Sequence, residues 1–380
     1  MKSAIFSSTV SPKDGYGNIT YELTRFLSEK GVDITLFLPE SQKESANELS
    51  LPFEVRYELP EYIFRLYQPK ALKFWKRINV SEFDLVHSLF AFPYCMIAMR
   101  SAKKYKKPFI MGAQGTHGVR PLTYFPEKLV LKKCYSQAKK ITVPSLFTKQ
   151  MIEKHSGHGH SRSAVAGKTY PIEVIHNGVN FERFQKPQVK LDKYRGKIVL
   201  LTVGGLWGRK GHDIVLKALS KVIQKRKDVH YVMVGEGNGR GQLEKLTDQL
   251  GLQDHVEFAG RQMADDLVSY YQACDIYVHT PKIVDLKFEG FGIVYLEASA
   301  CGKPIVATDA GGIKDAVIDS QTGLIADDGD IDGVADRILR LCEDEDLRRK
   351  LGLAGREYAE KNSWSSIAEK FESLYRSVNV

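Results

Sequence analysis

Short apolar runs alternate with helix-compatible segments along nearly the whole chain, and this alternation restricts the fold more tightly than any single motif. The first residues give the apolar "SAIFSS", the glycine loop "SPKDGYGN", the helical-period segment "ITYELTRFLSEKG" and then "VDITLFLP". They read as strand, loop, helix and strand, with Gly31 in the place of a helix C-cap. "FDLVHSL", "KPFIMGAQ" and "KKITVPS" are expected as further strands. After "VIHNGV" a second cycle runs from "KIVLLTVGGL" through "VHYVMVGEG", "VEFAGR" and "DIYVHT" to "KPIVATD", with helical segments between. Continuous apolar strands separated by helices describe parallel sheets covered on both faces. A chain of 380 residues exceeds one ordinary core, so two α/β units and a cleft are expected, hinged close to Gly178. The last segment, "SWSSIAEKFESLYRSV", has Ser363 as its expected N-cap and can bury its apolar face on either unit.

With 43% hydrophobic and 27% charged residues the chain is expected to fold. "LFAFPYCMIAM", the longest apolar stretch, is interrupted by proline and is about half of what crosses a bilayer. The opening residues lack the pattern of a signal peptide, so a cytoplasmic location is expected. Cys95, Cys134, Cys274, Cys301 and Cys342 are scattered without C-x-x-C spacing, against both a disulfide framework and a zinc site. A formal charge of +9 suits phosphates, nucleic acid or an anionic membrane without choosing among them.

"KFEGFGIVYLEASACGKPIV" carries Glu289 and Glu297 in an otherwise apolar run. Gly290 and Gly292 break any helix through Glu289, whereas "IVYLEASA" can be helical, with Gly302 and Pro304 beyond its end. Glu289 is therefore expected in a loop and Glu297 roughly one turn inside the following helix. A glycine turn feeding a helix leaves backbone N–H groups unpaired, which suits an anion. Beside an anion the carboxylates are expected to point elsewhere, and as acceptors they suit paired sugar or ribose hydroxyls. That describes a sugar nucleotide, although a helix-start charge and a surface glutamate fit the same spacing.

"VGGLWGRKGHD" brings Arg209 and Lys210 to a glycine loop after a strand, where they could neutralise a diphosphate, although a lysine before a glycine also occurs on plain surfaces. "GEGNGRG" resembles a dinucleotide loop but has Arg240 where the fingerprint needs its last glycine, so it fits a phosphate-proximal turn or a generic one. "AQGTHGV" places His117 at a strand end, as a ligand-edge or a structural histidine, with Gly15 and Gly17 at the same edge. "DGDIDG" has Leu339 where a calcium loop needs glutamate. Asp344-Glu345-Asp346 fits a solvated helix, and His155, His158 and His160 fit a loop. No metal is assigned.

In this order the segments resemble the retaining GT-B glycosyltransferases of family GT4. "FEGFGIVYLEASACGKPIVATDAGG" matches their E-x7-E signature, and "THG", "VIHNGVN", "KG", "VGEG", "VEFAG", "YYQACDIYVHT" and the tryptophan-bearing last helix extend the likeness over nearly the whole chain. The resemblance implies two Rossmann-like domains facing a cleft: residues 1–177 plus 363–380 for the acceptor, the last helix crossing back, and 178–362 for the donor. It implies transfer from a nucleoside diphosphate sugar, UDP- or GDP-linked, with retention of configuration and without a metal or other cofactor. Glu297 would hold ribose hydroxyls, Glu289 the donor sugar, Lys210 the diphosphate, and backbone groups of Gly290, Phe291 and Gly292 the phosphate and sugar. His117 would touch the donor sugar at the reacting centre. The family usually has arginine where this chain has Gly205, and Arg209 is the expected substitute.

In "YIFRLYQPKALKFWKRINV" and "KLVLKKCYSQAKK" aromatic and basic residues interleave, as on a surface that meets an anionic bilayer, or on helices whose lysines are merely solvated. Both lie in the expected acceptor unit, which points to a lipid-linked saccharide or another cell-envelope glycan precursor as acceptor and to peripheral contact with the inner face of the membrane. No nucleic-acid partner is expected. A catalytically weak homologue that binds a sugar nucleotide or a partner enzyme, or a sugar-nucleotide epimerase, would use the same fold.

Overall fold

The computed structural model describes residues 1–61, 74, 76–157, 170–186 and 191–378. Most of the aromatic and basic stretch at 62–80, together with His158 and His160, lies outside the described residues. Two compact units are present, Met1–Asn177 with Trp364–Val380, and Gly178–Ser363. Ser363 goes with the second unit because it forms a bridge with Val179, whose N–H donates to the Asn362 carbonyl at 3.1 Å.

In the first unit β1 (Lys2–Phe6), β2 (Asp33–Pro39), β3 (Glu54–Leu59), β4 (Leu85–Ser88), β5 (Phe109–Gly112), β6 (Lys140–Val143) and β7 (Ile172–Val174) form one sheet. Its order is β3-β2-β1-β4-β5-β6-β7, and every adjacent pair is parallel. The inner strands are buried on both faces, which is why they read as continuous apolar runs. Chain order reverses between β1 and β4, and the loops after these strands open at that switch point.

The helix after β1 starts earlier than expected. Gly15 and Gly17 lie in the first turn of Gly15–Glu29 because the Asp14 side chain caps it, accepting from the Gly17 N–H at 2.8 Å. A Cβ on Gly17 would come within 2.6 Å of the Ser11 carbonyl oxygen, so the loop can fold back only over glycine.

The second sheet holds β8 (Ile198–Val203), β9 (Val229–Val234), β10 (Val256–Gly260), β11 (Ile276–His279), β12 (Ile305–Thr308) and β13 (Gly323–Ala326), in the parallel order β10-β9-β8-β11-β12-β13. Leu200 and Leu201, neighbours on β8, enter different apolar clusters, so helices cover both faces. Its switch point falls between β8 and β11.

The helix Trp364–Val378 packs against Gly15–Glu29 of the first unit. Trp364, Ile367, Phe371 and Tyr375 form its buried stripe, each side chain stabilising the contact by about 1.5–3 kcal/mol. The Tyr375 hydroxyl lies 2.7 Å from His87 Nδ1 at the centre of the sheet. Asp330 and Asp344, the decoys of the acidic stretches, cap helices: Asp330 accepts from Gly333 N–H at 2.9 Å and Asp344 from Leu347 N–H at 2.8 Å.

Burial lowers the His87 ring from the usual 6.5 to about 3, and His212 of the second unit to about 4. Both are neutral when folded and protonate readily when unfolded, so stability is full above pH 6.5 and falls as pH drops from there towards 4 and 3. Urea titrations across this range are expected to show that decline; a flat profile would contradict it. Tyr375→Phe is expected to cost about 1–2 kcal/mol at neutral pH, because it leaves the buried His87 Nδ1 without its partner.

Candidate active site

At the second switch point the loop after β8 and the loop after β11 meet backbone to backbone. Gly211 has φ +76°, and a Cβ there would lie 1.6 Å from the Thr280 carbonyl oxygen. The Thr280 hydroxyl donates to the Gly211 carbonyl at 2.9 Å, and Lys282 N–H donates to the Arg209 carbonyl at 2.8 Å. The short turn Gly208–Lys210 is thereby fixed against the segment that leads to Glu289.

Glu289 is pinned in turn. Its carbonyl accepts from Gly312 N–H at 2.8 Å, and a Cβ on Gly311, at φ +93°, would lie 2.5 Å from the same oxygen. The Lys210 ammonium donates to Glu289 Oε2 at 2.6 Å, and Arg209 Nη1 lies 3.7 Å from that oxygen. Lys210 and Glu289 are 16% and 17% exposed, so the pair is largely out of water. Glu289 thus turns onto both cations instead of away from the expected anion position, because a nearly buried carboxylate needs the counter-ions that Lys210 and Arg209 supply. Burial pushes this carboxyl up, but Lys210 and Arg209 outweigh it and hold it below the usual range.

The following helix is Ile293–Ala300, with Gly292 as its N-cap at φ +87°. The Tyr295 ring lies under Gly292, where a Cβ would meet it at 2.6 Å, and its hydroxyl donates to the His279 carbonyl at 2.9 Å. Phe291 is a core side chain, so only its backbone belongs to the turn, while Gly290 is half-buried. Glu297 is inside the helix, and the Tyr271 hydroxyl donates to its Oε2 at 2.6 Å. Burial raises the Glu297 carboxyl, against the lowering by Tyr271 and Arg183.

Beneath the cations the side chains are neutral. His279, fully buried at the end of β11, has no hydrogen-bond partner at either nitrogen, and burial reinforced by Lys210 holds its pKa far below the usual value. Tyr231 donates to Thr202 Oγ1 at 2.9 Å and Thr202 to the Val278 carbonyl, which leaves the Tyr231 oxygen to accept from His212 Nδ1–H at 3.1 Å. This chain ties the helix start at His212 to β9, β8 and β11.

Gly205, where the family usually has arginine, lies under Trp207: a Cβ would come within 2.0 Å of the indole Nε1. Trp207 is 47% exposed, so the glycine and the tryptophan form one surface feature. "GEGNGRG" supports it. Gly235 fits over the Gly204 carbonyl, where a Cβ would lie 2.0 Å away, and Gly239 N–H donates to the Leu206 carbonyl at 2.9 Å. Arg240 pairs with Glu236 and Glu244.

Gly15, Gly17 and His117 belong to the first unit. His117 lies in the short helix Thr116–Val119 beyond the end of β5. The Tyr16 ring stacks on it at 5.1 Å and 8°, Phe90 meets Tyr16 edge-on at 4.9 Å, and Phe92 stands edge-on to His117 at 6.3 Å. Tyr16, Trp207 and Tyr271 were not legible as site residues in the sequence. Each is an aromatic next to a glycine loop or in the "YYQAC" segment, and that proximity is the only signal that could have found them. Among the described residues no cluster of three or more His, Cys, Asp or Glu side chains has the geometry of a metal site.

Comparison with known proteins bears on the family and the fold. The profile of the family described as Glycosyl transferases group 1 matches residues 184–358, and that of Glycosyltransferase Family 4 matches 13–183. An uncharacterised glycosyltransferase of Methanocaldococcus jannaschii is 29% identical over 314 residues, covering 82% of this chain and 81% of that protein. A GDP-mannose-dependent alpha-(1-6)-phosphatidylinositol monomannoside mannosyltransferase of Mycobacterium tuberculosis is 32% identical over 231 residues, 58% of this chain and 60% of its own. Among solved structures, Anabaena HepE in complex with UDP superposes with a TM-score of 0.77 at 20% identity, over 99% of this chain and 100% of that one, and so shares the fold.

Gly211→Ala is expected to lower stability by at least about 2 kcal/mol, since both its φ of +76° and the Thr280 carbonyl resist a side chain. Gly208→Ala, with nothing within 4 Å, is expected to stay within about 0.5 kcal/mol of the parent. Equal thermal midpoints for the two variants would contradict the backbone contact.

Proposed function

The chain belongs to the glycosyltransferases of group 1 and family 4, enzymes that use nucleotide sugars, and from that premise we propose that it transfers a hexose-type sugar from a UDP- or GDP-linked donor with retention of anomeric configuration. The observation that carries the reading is the Lys210–Glu289–Arg209 cluster at the switch point of the second sheet, followed directly by a glycine turn and a helix start.

In this role Lys210, with Arg209, meets the diphosphate and stabilises the negative charge that develops on it as the bond to the sugar breaks. These cations supply that charge without a metal. Glu289, ionised across neutral pH, accepts from donor sugar hydroxyls, and the backbone of Gly290, Phe291 and Gly292 holds phosphate and sugar. Glu297 accepts from the ribose hydroxyls with its carboxylate oriented by Tyr271. In the first unit exposed Gly15 allows close backbone approach, whereas Gly17 is buried under Ser11 and serves the loop's own folding, and His117, aligned by Tyr16, contacts the donor sugar at the reacting carbon.

A lipid-linked saccharide or other cell-envelope glycan precursor is the proposed acceptor. The name of the mycobacterial relative, a phosphatidylinositol monomannoside mannosyltransferase, supports a membrane-derived acceptor, as do the lysines on the first unit's surface. The enzyme would then work on the inner face of the membrane, as a peripheral protein.

A panel of UDP- and GDP-linked hexoses, read by thermal shift and slow donor hydrolysis, tests the donor. Binding of none of them would remove the reading, and proton NMR of the product must give the donor's anomeric configuration. Lys210→Ala is expected to lower kcat by about 100- to 1000-fold, and Arg209→Ala by a similar factor. Near-normal turnover of the Arg209 variant would sink its role as the second cation. EDTA is expected to leave turnover unchanged.

Tyr271→Phe is expected to raise the donor KM about tenfold with little change in kcat. Because Tyr271 lowers a carboxyl that burial raises, its loss should also move the acid limb of donor binding to higher pH. A change in kcat alone would exclude the ribose-side role.

A further inference from the structure

In the first unit the chain leaves the His117 helix through Arg120–Thr123 and reaches the helix Glu127–Gln137 by way of Tyr124 and Phe125. Phe125 is 79% exposed, Leu129 59% and Tyr124 43%. Lys128 N–H donates to the Tyr124 carbonyl at 3.0 Å, so the extended Tyr124 is tied to the first turn of the helix that carries Leu129, with Phe125 just before that helix.

The polar residues of this tip carry one sign. Lys128 and Lys133 are exposed and Lys132 is half-buried, whereas Glu127, the helix's carboxylate, is 6% exposed. Among the described residues none of these lysines forms an ion pair. The Lys132 ammonium is pushed down by burial and by Lys128, with no carboxylate opposing them. Exposed aromatic and aliphatic side chains beside uncompensated lysines fit the boundary between acyl chains and anionic headgroups.

We infer that the Tyr124–Lys133 tip docks the first unit on an anionic lipid bilayer, with Phe125 and Leu129 entering below the headgroups and Lys128, Lys132 and Lys133 meeting lipid phosphates. This deepens the membrane-derived acceptor reading and rests on it for its purpose, though not for its test. The tip is tied to the loop of His117: buried Tyr135, on the same helix, donates to the Gly118 carbonyl at 2.6 Å. Docking would therefore fix the position of the His117 loop at the membrane surface.

The test is sedimentation of the full chain with vesicles of phosphatidylcholine alone or mixed with phosphatidylglycerol, at about 0.1 M salt. Binding to the mixed vesicles only is expected. Phe125→Ser with Leu129→Ser is expected to weaken it about tenfold or more, and Lys128→Glu with Lys132→Glu and Lys133→Glu about a hundredfold. Phe125→Trp should be quenched by brominated acyl chains above the parent's own tryptophan background, a readout that also covers a variant that folds poorly. Absence of sedimentation, equal binding to both vesicle types, or undiminished binding of either variant set would overturn the proposal; a shared protein partner or a dimer contact would give the first of these. Donor hydrolysis without vesicles reports on the transferase reading separately: docking can fail while hydrolysis persists, and the reverse.

Discussion

The Lys210–Glu289 ion pair is the contact on which the second unit's crevice depends. Taking a lysine and a glutamate mostly out of water is unfavourable unless their separation is fixed, and removing one partner of such a pair costs roughly 3–5 kcal/mol. Side-chain packing does not fix the separation here. Two backbone-on-backbone contacts do, Gly211 against Thr280 and Gly311 against Glu289, each at a positive φ and each closed to any Cβ. The glycines and the charges are one arrangement. With Arg209 added, the cluster holds two cations and one carboxylate, a net positive charge at the carboxyl edge of a parallel sheet and just before a helix start.

The same logic governs what lies beneath. A charged histidine under those cations would face both desolvation and like-charge repulsion, and His279 and His212 are accordingly held neutral. His212 also finds a use for its one proton, passing it into the bond to Tyr231 and on through Thr202 to the backbone of β11. Of these groups, Arg209 and Lys210, on the loop between β8 and the next helix, are the ones that carry positive charge.

Much of this was legible before any coordinates, for a physical reason. Strands buried on both faces leave uninterrupted apolar runs, so β8, β9, β11 and β12 announce themselves, and glycine turns that feed helices mark Glu289, Glu297 and Lys210 as residues of loops and helix starts. What the sequence could not carry was adjacency. Lys210 and Glu289 are 79 residues apart and Tyr271 and Glu297 are 26 apart, and each pair meets through tertiary structure alone: the first at the crossing of β8 and β11, the second across packed helices. The direction of Glu289 is not legible for the same reason, since its counter-ions come from another strand's loop. Trp207 over Gly205 and Tyr16 over His117 were missed because an aromatic beside a glycine loop is ambiguous until its ring has a direction. Gly15 and Gly17 read as loop residues because glycine disfavours helices, a preference that the Asp14 cap overrides.

The two switch points are furnished with different chemistry. That of the second unit has fixed charges with neutral groups below them, which suits a diphosphate and its adjoining diols. That of the first unit has rings, Tyr16, Phe90, Phe92 and His117, in face and edge contact, with Tyr16 O–H bonded to the Gln114 carbonyl at 3.3 Å. Flat apolar faces with polar rims suit the partly apolar faces of sugar rings better than they suit phosphate. In the first unit, among the described residues, unpaired positive charge lies instead on the outer lysines of the Glu127–Gln137 helix, and the Tyr135–Gly118 bond joins that helix to the loop of His117. Within one unit, then, a basic, apolar-tipped surface is mechanically continuous with an aromatic cluster suited to sugar, the combination that the proposed acceptor, a saccharide carried on a lipid, would require.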